Sequence, residues 1–196
     1  MKIVITGTTG GIGGAVKAAA IAAGHVVVEI NRDDFDSPEF PESLKAGGID
    51  ALVFASGVCP VKQMTLTDDE TALETFRVNA LIFLRLMRRL VSGRLYSTSG
   101  MSVIAVSSVS AVEGWPGGVA YCASKGALSA MCRAMDAELK SKRISVKAIE
   151  PRYVKTAMFD RCAGRMGVDP ALAVDPADLA GEILSSLEAS KPGGGD

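Results

Sequence analysis

Tyr121 and Lys125 stand four residues apart in the run Tyr121-Cys122-Ala123-Ser124-Lys125. At that spacing a helix carries both side chains on one face, so a phenol and an ammonium share one patch. A free phenol has a pKa of about 10, and a nearby cation favours its ionised form, which brings it closer to acid or base work near neutrality. Ser108 follows the apolar run Met101 to Ser107, which reads as a strand. It therefore falls at the carboxyl edge of a sheet, where open α/β folds hold their ligands. Each residue also has an ordinary use: Ser108 as a turn or capping serine, Tyr121 as a half-buried aromatic, Lys125 as a solvated charge.

A second group of residues offers an anion site. Thr6-Gly7-Thr8-Thr9-Gly10-Gly11-Ile12-Gly13 joins a β-branched run, Lys2 to Thr6, to an alanine-rich stretch, Gly13 to Ala23, so strand, glycine turn and helix follow in order. That context is what a dinucleotide fingerprint requires. Gly7 permits a sharp exit from the strand, Gly11 lets backbone N–H groups approach a pyrophosphate, and Gly13 lets the helix pack closely. The helix start then holds the anion. The structural alternative is a tight connection in a nucleotide-free fold; a Walker loop is excluded, since no Gly-Lys-Ser or Gly-Lys-Thr occurs. After a second strand, His25 to Ile30, come Asn31 and Arg32. Asn does not repel a ribose phosphate as an acid would, and Arg makes charge-assisted contact with one, so NADP(H) is favoured and NAD(H) is the alternative. Asp33 and Asp34 beside Arg32 weigh the other way.

The elements that must position these groups alternate along the chain. Gly24 ends the first helix, Ala51 to Ala55 is a third strand, and Thr71 to Arg89 a long helix. After Met101 to Ser107 come a helix, Ala120 to Lys142, a strand, Ile144 to Ile149, and a last helix from about Pro176 to Leu187. Phe35 to Ala46, with two prolines and several acids, reads as a loop with at most a short helix. Strands apolar on both faces and separated by helices specify a parallel sheet covered on both sides, a Rossmann-like doubly wound αβα sandwich. Residues 1–190 read as one dinucleotide-binding catalytic domain and residues 191–196 as a flexible tail, with Pro192-Gly193-Gly194-Gly195 at its heart.

Bulk properties agree. The length of 196 residues suits one domain, and 48% apolar with 22% charged residues is a globular balance. Lys and Arg total 21 against 22 for Asp and Glu, so no whole-chain field draws nucleic acid or an anionic membrane. Cys59, Cys122, Cys132 and Cys162 lack Cys-x-x-Cys spacing and a partnering His cluster, which argues against zinc or a redox pair and for reduced buried thiols. Thr6 to Gly11 interrupts the apolar start that a signal peptide would need, and no run reaches the roughly 18 residues of a membrane span. A soluble cytoplasmic protein is expected.

In order, these motifs resemble the short-chain dehydrogenase/reductase family: Thr6-Gly7-x-x-x-Gly11-Ile12-Gly13, Asn79 in Val78-Asn79-Ala80, the Ser107-Ser108 pair, Tyr121-x-x-x-Lys125, and Thr156 after Pro151. The resemblance spans Met1 to about Ala189. It implies catalytic roles for four residues: Tyr121 as proton donor or acceptor, Lys125 as ribose ligand and modulator of the phenol, Ser108 as anchor of the substrate oxygen, and Asn79 as holder of a relay water. Ser107 is the rival to Ser108, whose spacing to Tyr121 fits the family better. The cofactor would lie against Gly7, Thr9, Gly10, Gly11, Ile12, Gly13, Asn31, Arg32, Ala55, Ser56, Gly57, Tyr121, Lys125, Pro151 and Thr156. The expected activity is NADPH-favouring hydride transfer between nicotinamide and a carbonyl/alcohol pair: a ketone, an aldehyde or a 3-oxoacyl compound. A non-catalytic dinucleotide-binding regulator or scaffold is the alternative, and an epimerase or dehydratase a third reading.

Departures from the family pattern bear on the site. Phe54-Ala55-Ser56-Gly57 stands where Asn-Asn-Ala-Gly is usual, and Pro151-Arg152 where Pro-Gly is usual, which puts a long cation near the nicotinamide end. The segment between the second and third strands is short, so one helix is reduced there. No apolar strand follows the last helix, so six strands are expected. The short chain between Met158 and Asp175 predicts a small substrate lid, over a pocket that is open or completed by a neighbouring subunit. Trp115 and Pro116 fit a pocket wall and loop packing equally. The family pattern and the apolar residues Phe76, Leu81, Phe83, Leu84 and Met87, spread over more than one helix face, imply a homodimer or homotetramer.

Overall fold

The computed structural model describes residues 1–31, 34 and 42–190. Arg32, Asp33, most of the loop expected from Phe35 to Ala46, and the tail 191–196 lie outside the described residues. Five parallel strands form one sheet: β1 (Lys2–Thr6), β2 (Val26–Ile30), β3 (Ala51–Phe54), β4 (Met101–Val106) and β5 (Ile144–Ile149). Their order is β2-β1-β3-β4-β5. The chain leaves β1 first toward β2 and then crosses to β3, so the switch point lies at the carboxyl end of β1, next to the glycine turn.

Strand side chains alternate between two cores. Val4, Leu52, Phe54 and Val103 face one side and meet Phe83, Met87, Leu90 and Leu128. Ile3, Ile5, Val53 and Ile104 face the other and meet Val16, Ala20, Ile183 and Leu187. The helices that bring these partners are α1 (Gly11–Ala22) and α6 (Pro176–Ala189) on one face, α3 (Ile82–Ser92) and α4 (Val119–Leu139) on the other. This is the three-layer Rossmann-like arrangement that the pattern of runs specified.

Six strands were expected, and the described residues form five. The shortfall is one strand. Between β2 and β3 the described residues include a helical turn, Glu42–Lys45, and an isolated bridge at Ile49. After β5 the chain goes into α5 (Ala157–Met166) and α6, with only one further bridge, Val154 to Val174. Neither segment has the run of apolar residues that an added strand would bury.

The single helix expected from Thr71 to Arg89 is also different in detail. It is α2 (Asp69–Phe76), a π-helical turn from Arg77 to Leu81, and then α3. Asp68 caps its start, accepting from the Thr71 amide at 2.7 Å. The wide turn carries Asn79 to the inside. Such single π turns concentrate at functional sites.

Candidate active site

Glycine sets the entry to the site. Gly7 has φ +69°, and a Cβ there would come within 2.8 Å of the Ala55 backbone; a Cβ on Gly13 would run into the Gly7 carbonyl. The turn thus lies directly on the end of β3, and Thr6 fastens the two, its hydroxyl accepting from the Ala55 and Ser56 amides at 3.1 and 3.2 Å. Over this turn lies a cleft of about 400 Å³. Gly7, Thr9, Gly10, Gly11, Ile12, Gly13, Asn31, Ala55, Ser56, Gly57, Tyr121, Lys125 and Thr156 all line it. These are the expected cofactor residues except Arg32, which lies outside the described set, and Pro151. Arg77 and Arg161 join Lys125 on the lining, and among the described residues no acid does. A crowded glycine turn beneath a cleft lined by cations fits a dinucleotide pyrophosphate.

A second, smaller cavity of about 90 Å³ adjoins the first. Ser108 and Pro151 line it, with Cys59, Trp115, Arg152, Tyr153, Phe159, Cys162 and Met166. Tyr121 lines both cavities, as do Ile12, Ser107, Thr156 and Met158. Trp115 is both wall and packing: it lines the cavity, its indole N–H donates to the Ser110 hydroxyl at 3.2 Å, and it lies 6.4 Å from the Tyr121 ring. Arg152 stands at this cavity, paired with Glu113 at 3.1 Å.

The two serines separate by their bonds. The Ser107 hydroxyl donates to the Lys125 carbonyl at 3.1 Å and accepts from Ser129 at 2.8 Å, which ties β4 to α4. Ser108 instead lines the second cavity beside Tyr121, its hydroxyl accepting from the Ser110 amide at 3.1 Å and favouring the phenolate of Tyr121. Asn79 lies behind the site, fully buried. Its Oδ1 accepts from the Val58 amide at 2.8 Å, and its amide hydrogens go to the Val58 carbonyl and the Ser124 hydroxyl, both at 2.9 Å. It clamps the loop after β3 to α4, and the side-chain N–H groups have no hydrogen to spare for a water.

The electrostatics of Tyr121 depart from the expectation. Burial pushes its phenol above the ordinary range, the nearby Cys59 adds to that, and the Ser108 hydroxyl works against it. Lys125 approaches the ring at 5.8 Å from its centroid. Burial in turn lowers Lys125 to about 8, with Cys59 and Cys132 working against the shift. Its ammonium donates to the Val106 carbonyl at 2.8 Å. Desolvation therefore outweighs the mutual help that a phenol and an ammonium give each other in the open.

Sequence spacing missed two features. Cys59 and Cys162, 103 positions apart, bring their sulfurs to 3.4 Å on the wall of the second cavity, although no local spacing marked them as a pair. The other is α5, ten residues long, which carries Met158, Arg161 and Phe159 to the cavities. The signal for it was present: Thr156 caps the helix, accepting from the Phe159 amide at 3.1 Å, and Gly167 ends it at φ +65°.

A parallel sheet with a glycine turn at its switch point, and a tyrosine shared between an anion cleft and a second cavity, define a dinucleotide-binding oxidoreductase of Rossmann type. Comparison with known proteins places it more narrowly. The short chain dehydrogenase family model matches residues 40–165. The chain belongs to that family, and is an NAD(P)-dependent oxidoreductase of it. Among curated relatives it is 27% identical over 189 residues to Nodulation protein G of Rhizobium sp. (strain N33), covering 82% of this chain and 76% of that one. It is 26% identical over 179 residues to the 3-oxoacyl-[acyl-carrier-protein] reductase FabG of Rickettsia conorii, covering 80% and 74%. Among solved structures, a 4-hydroxyisoleucine dehydrogenase mutant complexed with NADH and succinate superposes with a TM-score of 0.81 at 20% identity, over 97% of this chain and 93% of that one. A gluconate 5-dehydrogenase from Beutenbergia cavernae, described as putative and NAD(P)-dependent and holding NADP, gives 0.78 at 23%, over 93% and 87%.

Proposed function

We propose that residues 1–190 act as one catalytic domain that reduces a ketone, aldehyde or 3-oxoacyl compound to its alcohol, with NADPH preferred over NADH. The observation that carries this is the place of Tyr121, which lines both cavities and shares the second with Ser108. A carbonyl in the second cavity would set its oxygen between the two hydroxyls, and two groups on one oxygen fix its direction. A reduced nicotinamide bound in the cleft would supply the hydride. Tyr121 donates its proton to the oxygen as negative charge develops there, and burial keeps that proton on the phenol until it is needed. Lys125 holds the ribose with the N–H groups not spent on Val106, and its charge stabilises the phenolate left behind. Asn79 holds Val58, and with it the loop against which the cofactor lies.

Several supports are independent of the mechanism. The Rickettsia relative named above is a 3-oxoacyl reductase, and the superposed structures hold NADP and NADH. Glu29, an acid at the end of β2, is bound to Lys17 at 2.6 Å and to the Thr8 hydroxyl, so its charge is compensated beside the turn. Asn31 lines the cleft, its amide donating to Asp34 at 2.7 Å, and carries no charge against a ribose phosphate. The four cysteines are free thiols, as a reducing cytoplasm keeps them. Among the described residues no helix is long and apolar enough to cross a membrane. A homodimer or homotetramer completes the reading.

The test pairs binding with turnover. Purified protein is titrated with NADPH by fluorescence and assayed for NADPH oxidation with ketones, aldehydes and 3-oxoacyl thioesters. Tyr121→Phe keeps the ring and loses the proton, so it binds NADPH normally and turns over roughly 100-fold more slowly or worse. Near-normal turnover by that variant would overturn the assignment. The cofactor preference has its own variant: Asn31→Asp with Arg32→Ala loses roughly tenfold or more in NADPH affinity while keeping NADH, through one lost charge-assisted contact and one new repulsion. Equal affinities of the unmodified protein for NADPH and NADH count against the preference.

A further inference from the structure

Helix α5 is the partition between the two cavities. Ala157, Met158 and Arg161 line the cleft, while Phe159, Cys162 and Met166 line the second cavity, and Met158 reaches both. The division is helix geometry, since residues three and four apart fall on one face. The helix starts against the glycine turn: a Cβ on Gly11 would come within 2.5 Å of the Thr156 methyl carbon. Arg161, five residues beyond Thr156, is thereby delivered to the cleft.

The three cations among the described residues of the cleft differ in what holds them. Arg77 is bound to both carboxylate oxygens of Glu74, at 2.6 and 3.0 Å, and Lys125 donates to the Val106 carbonyl. Among the described residues Arg161 has no hydrogen-bond or ion-pair partner, and none that shares the cleft lining with it is an acid. A guanidinium presents paired N–H groups that match two phosphate oxygens at once, and among the described lining residues no carboxylate competes for them.

We propose that Arg161 is a ligand of the dinucleotide pyrophosphate, and that through it the bound dinucleotide draws α5 against the cleft and so sets the wall of the second cavity. This rests on the cleft being the dinucleotide site. The pyrophosphate is common to NADPH and NADH, whereas Arg32 is read as meeting the ribose phosphate that only NADPH has. The two arginines are therefore separable by experiment. Movement of α5 carries Cys162 and Phe159 with it, so occupation of the cleft is felt at Cys59, whose sulfur meets that of Cys162.

The experiment titrates wild type, Arg161→Gln and Arg161→Lys with NADPH, NADH and ADP-ribose, all of which carry the pyrophosphate. Arg161→Gln weakens all three by a common factor of roughly ten or more, and Arg161→Lys recovers part of the loss because a cation remains. Wild-type affinity of Arg161→Gln for the three ligands overturns the proposal, and so does a loss confined to NADPH, which would assign Arg161 to the ribose phosphate. Wild type that binds none of them overturns the reading of the cleft itself, a failure visible before any variant is made. The second readout is alkylation of Cys59, followed by mass spectrometry at saturating NADPH. NADPH slows it in wild type and leaves it fast in Arg161→Gln. Equal protection in both proteins overturns the link from cleft to cavity.

Discussion

Burial drives Tyr121 and Lys125 the same way, toward their neutral forms, and the cost of keeping Lys125 charged is open to measurement. An unfolded chain holds the Lys125 proton up to a pH of about 10.4, while the native protein releases it near 8. Between those values the unfolded state binds more protons, so this residue makes stability rise with pH through the window and fall as pH drops from 10 to 8. Below 8 the penalty is constant, on the order of 3 kcal/mol. Lys125→Met keeps the length and removes the charge. Its stability relative to wild type, measured by urea unfolding, is greatest below pH 8 and shrinks toward pH 10. A constant difference across that range would mean that Lys125 is not desolvated. At this scale the sequence showed the Tyr121–Lys125 spacing and the glycine turn, because both are local. It did not show the Cys59–Cys162 contact or the reach of Arg161, which the fold alone creates.

Helices and strands were legible from their runs and caps, and the departures have physical causes. A π turn inserts one residue and shifts the apolar phase, but the run Val78 to Leu84 is apolar at every position except Asn79, so the break at Arg77–Leu81 had no polar positions to mark it. The sixth strand was inferred from a family count, whereas the residues named only five apolar runs. The π turn has a consequence that can be tested through Asn79, which it turns inward against Val58 and Ser124. Asn79→Leu fills similar space and leaves the Val58 amide and carbonyl without partners. The expected loss is ~2–4 kcal/mol of stability, with weaker NADPH binding, because Gly57 and Val58 line the cleft. Urea midpoints and a fluorescence titration read the two effects. Unchanged values of both would show that the clamp positions nothing.

For the whole molecule, the cores on the two faces of the sheet bury most of the large apolar side chains of the helices, and the expected homodimer or homotetramer can be tested on those left exposed. Phe83 and Met87, expected to contribute to an outer face, are 0% and 2% exposed and belong to the core. Leu81 and Leu84 remain 45% and 42% exposed, three positions apart and so on one face of the helix. On α4, Ala123, Ala127, Ala130, Ala134 and Ala137 recur at intervals of four and three, and all but Ala127 are exposed. Such a row is flat enough for another helix to approach, and leucines are the side chains to fill it. The two faces together suit a symmetric pairing in which α3 and α4 of one copy pack on those of the next. Light scattering at micromolar concentration is expected to give a dimer or tetramer for wild type. Leu81→Glu with Leu84→Glu places two charges in each half of that contact and is expected to give a monomer that keeps its far-ultraviolet circular dichroism, since neither side chain enters the core. A wild-type monomer would remove the premise. An unchanged oligomer in the double variant would move the interface off this face.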